Sequence, residues 1–154
     1  MAFFALALVS SSIALDKKPA LSSTKEILTS AIFSKMTVGR NLHVILVADD
    51  LYPGITVTGD ADLIQYIRVS IKENELSISS IHNLKDRKIL IHVPVKDLAF
   101  LELLGGAEVT VQGVLKCTDL KVKVNADAHL ALSYKGKASI LPADDCEFVY
   151  ERND

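Results

Sequence analysis

From Ile32 onward the apolar residues of this chain tend to recur at every second position, the period of a β-strand whose two faces meet different surroundings. Residues 42–47 carry few polar interruptions and predict a strand buried on both faces. Residues 49–54 predict a turn around Pro53-Gly54, and residues 55–58 the next strand, ending at Gly59-Asp60. Asp60 is placed to cap a short helix through Tyr66, with Leu63, Ile64 and Ile67 at helical spacing. Ile67, Val69 and Ile71 also alternate with polar residues, as a strand would. Asn74 marks a turn, residues 76–79 a strand, and residues 82–87 a polar loop. Residues 89–93 form a strand closed by Pro94, which lacks the N–H a central ladder needs. Residues 146–150 predict the last strand. Ahead of all these, Ser23-Thr24-Lys25-Glu26 fits a capping box, so residues 15–31 read as a short helix or a linker.

The last third echoes itself. Residues 100–111 align with residues 121–132 at a constant offset of 21. Leu101 and Leu103 fall on Val122 and Val124, and Val109 and Val111 on Leu130 and Leu132. The turn Gly105-Gly106-Ala107 falls on Ala126-Asp127-Ala128. Beyond this the register slips by two and Gly113 falls on Gly136. Each unit is a short strand, a tight turn of small residues and another short strand. Such a unit has one apolar side that it cannot bury alone. Stacking unit on unit buries that side and pairs each strand in parallel with its equivalent. An antiparallel sandwich gives a similar alternation, so the deciding contact is Val109 and Val111 against Leu130 and Leu132 on neighbouring parallel strands. Gly105-Gly106 marks a turn where a side chain would clash with the next unit or require an unfavourable φ.

The 154 residues fit one domain, taken as residues 32–150, and a hydrophobic share of 49% supplies a real core. The apolar set is aliphatic and Trp is absent, which suits stacked strands. Net charge is −2 and no basic stripe is present, so a nucleic-acid partner is not expected. Residues 1–15 carry no charge, include the apolar run of residues 3–9, and end in Ser12-Ile13-Ala14, with small residues where a signal peptidase reads. Residues 1–14 therefore read as a signal peptide, although no Lys or Arg precedes Lys17. No later stretch is long enough to span a bilayer as a helix, which needs about 20 apolar residues. Cys117 and Cys146 then permit one disulfide, or remain two buried thiols; their spacing is not a metal signature.

The order of these segments resembles a bacterial exported family, the putative auto-transporter adhesin, head GIN domain. The likeness runs through residues 42–47, Ile55-Thr56-Val57-Thr58-Gly59-Asp60, Glu75-Leu76-Ser77-Ile78, Ile89-Leu90-Ile91-His92-Val93-Pro94, residues 98–104 and Gly105-Gly106-Ala107. It covers residues 32–141, and order and spacing carry it, not any one motif. The resemblance implies an all-β fold of the short right-handed parallel β-helix or solenoid kind, an exported location and no established catalytic activity. Where the family repeats a Ser-Gly-Ala-like turn, this chain has Asn125-Ala126-Asp127, whose Asn and Asp tolerate left-handed backbone.

Candidate chemistry is sparse. His43, His92 and His129 sit in or beside predicted strands and His82 in a loop, none with a second ligand at metal spacing. Asp49-Asp50, Asp60-Ala61-Asp62 and Asp144-Asp145 supply too few oxygens for calcium and read as turns and caps; Asp60 and Asp62 are the first place to look for a divalent ion. Glu102, Glu108 and Asp127 could offer the carboxylate pair of a glycan-cleaving enzyme, but short strands leave little loop to close a cleft. No nucleophile elbow or phosphate-binding loop occurs. The expectation is an exported, non-catalytic module of the periplasm, outer-membrane surface or secreted space, with no metal, no cofactor and no assigned ligand-binding residue. Its expected partner is a surface glycan or protein; self-assembly into a homo-oligomeric envelope structure, or glycan-active catalysis, are the alternatives.

Overall fold

The computed structural model describes residues 22–28, 32–48, 54–143 and 147–153. In chain order the elements are β1 (Ser22–Leu28), β2 (Lys35–Val38), β3 (His43–Val47), β4 (Gly54–Asp60), α1 (Ala61–Ile64), β5 (Ile67–Lys72) and β6 (Glu75–Ser80). Then follow β7 (Ile89–Pro94), β8 (Phe100–Leu103), β9 (Glu108–Gln112), β10 (Leu115–Val124), β11 (His129–Pro142) and β12 (Glu147–Arg152). The fold is all-β: the strands form one curled sheet and α1 is a single turn of helix.

The predicted 21-residue offset is the register of the sheet. Leu101 lies beside Val122 and Leu103 beside Val124, in parallel. Glu108, Val109 and Thr110 lie beside His129, Leu130 and Ala131, also in parallel. The same pairing extends to earlier units. β2 and β3 lie in parallel beside β8 and β9, and beside β6 and β7 on their other edges. Two walls result, one running β6-β2-β8-β10 and the other β7-β3-β9-β11. Equal spacing brings like-facing side chains into rungs, because the side-chain period along a strand is two. In one rung Leu76, Met36, Leu101 and Val122 are all 0% exposed; in its counterpart on the other wall so are Ile91, Val44 and Val109.

Other features depart from the sequence reading. The capping-box segment opens no helix: Ser22–Leu28 is strand β1, paired antiparallel with β4, so the folded unit begins before Ile32. Backbone pairing decided this, since β4 would otherwise present an unpaired edge, and Ile27 gains contact with the core opposite Ile55. Pairing is not parallel throughout: among the described residues β1–β4, β4–β7 and β5–β6 are antiparallel. Nor is β3 buried on both faces. Val44 and Leu46 face the core while His43 and Ile45 are half-buried on the outer face, as in a sheet with a single packed side. The described β9–β11 ladder ends at Thr110–Ala131, so Leu132 is not reached and Val111 sits beside Leu46. Gly136 does not match Gly113. It stands opposite Cys117, just before a register shift that bends β10 against β11. The turn at 49–53 lies outside the described residues. Asp60 does cap α1, its side chain accepting from the Asp62 N–H at 3.0 Å, but the helix ends at Ile64 and Ile67 opens β5.

Candidate functional site

Three tight turns join the two walls, at residues 39–42, 104–107 and 125–128. Each puts its third residue in left-handed backbone: Asn41 at φ 58, Gly106 at φ 74 and Asp127 at φ 61. The geometry closes with short bonds inside the turn, from Ala107 N to Leu104 O at 3.0 Å and from Ala128 N to Asn125 O at 3.2 Å. Asn125 adds a bond from Nδ2 to the Leu103 carbonyl at 2.6 Å, which ties its turn to the strand beneath. A side chain at Gly106 would collide with the Asn41 carboxamide, whereas one at Gly105 would meet only Ala126 O at 3.4 Å. Of the two predicted glycines, it is Gly106 that the turn requires.

The fourth connection, between β6 and β7, is longer and cannot follow this path. Residues 81–88 therefore stand out from the turn stack. Leu84 anchors the loop at 3% exposure. Asn83 Oδ1 accepts from Lys85 N at 3.0 Å and from Asn41 Nδ2 at 2.8 Å, which pins the loop to the first turn. Between loop and turns lies an open groove of about 1090 Å³. Arg40, Lys85, Arg87 and Lys88 bring four basic groups to it, and Asp86, Glu108 and Asp127 three acidic ones. The lining is therefore of mixed charge, with the basic groups one more than the acidic ones. The polar loop was legible in the sequence; the groove was not, because its other wall comes from residues 40–43, 105–108 and 127–129. The spacing Lys85, Arg87, Lys88 was the only signal available.

The floor of the groove continues into a rung that alternates His and Glu. His43, Glu108, His129 and Glu147 stand side by side on four adjacent strands. His43 Nε2 lies 3.8 Å from Glu108 Oε1, and His129 Nδ1 lies 2.9 Å from Glu147 Oε2. Among the described residues no group of three His, Cys, Asp or Glu side chains could hold a metal ion. His82 packs edge-on against Tyr66 with ring centroids 4.3 Å apart, and His92 lies on β7 between Ile45 and Thr56. The carboxylates weighed for glycan cleavage are split. Glu108 and Asp127 line the groove, but Glu102 is on the other wall, 3.5 Å from Lys123 Nζ and accepting from Asn125 Nδ2 at 3.4 Å. Of Asp60 and Asp62, the first place to look for a divalent ion, Asp60 accepts the Asp62 N–H as the α1 cap. Cys117 is a buried free thiol directed at the Lys135 and Lys137 carbonyls; Cys146, its candidate partner, lies outside the described residues, as do Asp49, Asp50, Asp144 and Asp145. Burial pushes the Cys117 thiol above the ordinary range; the hydrogen bond with the Lys137 backbone opposes this and the nearby Asp119 charge adds to it.

Solved structures share the fold. A crystal structure of a putative adhesin from Parabacteroides merdae ATCC 43184 superposes with a TM-score of 0.72 at 21% identity, over 84% of this chain and 55% of that one. One from Parabacteroides distasonis ATCC 8503 gives 0.73 at 20% identity, over 86% and 57%. One from Bacteroides fragilis NCTC 9343 gives 0.55 at 18% identity, over 85% and 75%. This chain thus spans little more than half the length of the first two. No curated protein matches it. The sequence model of one family covers residues 32–143, the same strands and turns that form the stack, and on that match the chain belongs to the family described as putative auto-transporter adhesin, head GIN domain.

Proposed function

We propose that the chain is a non-catalytic binding module of the bacterial cell envelope, and that the groove between the 81–88 loop and the turn stack holds a polar, glycan-type ligand. The observation that carries this reading is the groove itself: a concave site lined by four basic and three acidic side chains, with a rim of backbone turns. Its polar rim favours hydroxyl-rich or acid-bearing ligands over apolar ones. Family membership supports an exported or surface location; our reading places it in the periplasm, on the outer-membrane surface or in the secreted space. No helix among the described residues is long and apolar enough to cross a membrane. The same reading takes the stacked parallel units as a short right-handed β-helix, supported by their constant register. It assigns no cofactor, metal or nucleic-acid partner.

Glycan-array binding by the purified chain, repeated with the triple variant K85A/R87A/K88A, tests the site. Retained binding by the variant, or no glycan bound by either, counts against it. A protein ligand in place of a glycan would appear as capture from an envelope extract that the same variant abolishes. Reducing-sugar release lost on Glu108→Gln would instead favour the glycan-active alternative, since Glu108 is one of the three carboxylates that line the groove, with Asp86 and Asp127.

A further inference from the structure

The two walls carry different outer surfaces. Strands β3, β7 and β9 bring no Lys or Arg. On the other wall Leu76, Met36, Leu101 and Val122 point into the core, so the residues just before them, Glu75, Lys35, Phe100 and Lys121, point out. Register sets these in a single row that crosses six strands: Lys72, Glu75, Lys35, Phe100, Lys121 and Ser139, on β5, β6, β2, β8, β10 and β11. A lysine therefore stands on every second strand, about 9.5 Å from the next. None of these lysines has an ion-pair partner among the described residues. Glu75 accepts from Thr37 Oγ1 at 3.0 Å, and Glu102, in the next outward row, faces Lys123 Nζ at 3.5 Å. Phe100 is half-buried, lies outside the core cluster and is the one aromatic residue of the row.

We propose that this row is the docking surface for an extended acidic polysaccharide in which uronate and neutral sugars alternate. In a stretched β-linked chain each sugar advances by about one strand spacing, so acid groups on alternate sugars recur at the separation of the lysines. Uronates then meet Lys72, Lys35 and Lys121 through charge-assisted bonds. The neutral sugars between them meet Glu75, Phe100 and Ser139. Phe100 offers its ring to the C–H face of a sugar, and Glu75 and Ser139 accept from hydroxyls. A polymer charged at every unit, a nucleic acid included, would set an anion over the Glu75 carboxylate and over the electron-rich face of Phe100, and both repel it. The alternation along the row is what selects the alternating glycan. Lys35, Glu75 and Phe100 open their strands, whereas the groove lies beyond the strand ends at the turns, so the two surfaces are separate. The choice of a glycan rests on the envelope location proposed above; the surface itself does not rest on the groove.

Isothermal titration calorimetry of the purified chain with hyaluronan oligosaccharides, in which β-linked glucuronate and N-acetylglucosamine alternate, should show binding that weakens as salt is raised. A neutral β-linked glucose oligomer of the same length should bind far more weakly, and so should single-stranded DNA. Lys35→Ala and Lys121→Ala should each lower the affinity several-fold, and together abolish binding with unchanged circular dichroism. Lys116→Ala, which removes an exposed cation of β10 outside the row, should leave binding unchanged, as should the groove variant K85A/R87A/K88A. The proposal is overturned if hyaluronan does not bind, if the neutral glycan or the DNA binds as tightly, if binding survives the Lys35 and Lys121 double variant, or if either control variant removes it. Loss in the groove variant with the row variants unaffected would assign the glycan to the groove and leave that reading standing.

Discussion

Replacing Gly106 by Ala probes the turn stack most directly. The added Cβ does two separable things. It places an L side chain at φ 74, which costs about 1–2 kcal/mol for a residue other than Gly. It also lands on the Asn41 carboxamide, whose Nδ2 donates to Asn83 Oδ1 at 2.8 Å. Asn41 is a flexible side chain and can swing away, so the second cost is the loss of that bond, about 0.5–1.5 kcal/mol. Together they come to about 1.5–3.5 kcal/mol, a fall in Tm of about 3–14 °C for a domain of this size. The two parts separate in a double-mutant cycle with Asn41→Gly, which removes the carboxamide but accepts the φ of 58. In that background Gly106→Ala should retain only the backbone cost. Urea unfolding of the four proteins, followed by circular dichroism, reads both values. A cost below about 0.5 kcal/mol in the unmodified chain, or the same cost in both backgrounds, refutes the stacked-turn reasoning. Gly106→Val carries the additional strain of a β-branched residue and should exceed the Ala variant.

Gly136→Ala should be worse than Gly106→Ala, by about 3 kcal/mol or more in total, because at φ 118 the new Cβ meets the Cys117 carbonyl, a backbone group that cannot step aside; thermal unfolding would check the order of the two. Leu101→Ala, in the middle of a fully buried rung, should cost about 2–5 kcal/mol, while Leu90→Ala on the outer face should cost about 1 kcal/mol or less in the same urea assay. The raised Cys117 thiol links folding to alkaline pH. Its pKa is higher folded than unfolded, so its contribution is intact at neutral pH and is lost as pH rises through the ordinary thiol range toward the folded value. Unfolding free energy measured from about pH 7 to about pH 10 should therefore decline, and Cys117→Ala should decline less steeply; equal slopes would remove the claim.

Much of this protein could be read from its order of residues because two of its rules are local. Alternation placed β4, β6, β7 and β12 to within a residue or two, since the pleat sends neighbouring side chains to opposite faces. The 21-residue echo was enough to set Leu101 beside Val122 and Val109 beside Leu130, because parallel strands joined by equal turns repeat at equal spacing. Asp60 declared itself as a cap, since a carboxylate one residue before a helix has one obvious donor to meet. What remained belonged to partners distant in the chain. Ser22–Leu28 looks like the start of a helix and becomes a strand because β4 needs a neighbour. Gly136 looks like a second Gly113 and instead relieves a clash with Cys117, in a bend that exists only once β10 and β11 lie together. The groove joins loop 81–88 to three turns spread from residue 40 to residue 129. Local pattern determines which way each side chain faces. The edges, the bends and the concave surface depend on which strands become neighbours, and that is settled by closing long loops around a shared core, a free energy no short window of sequence contains.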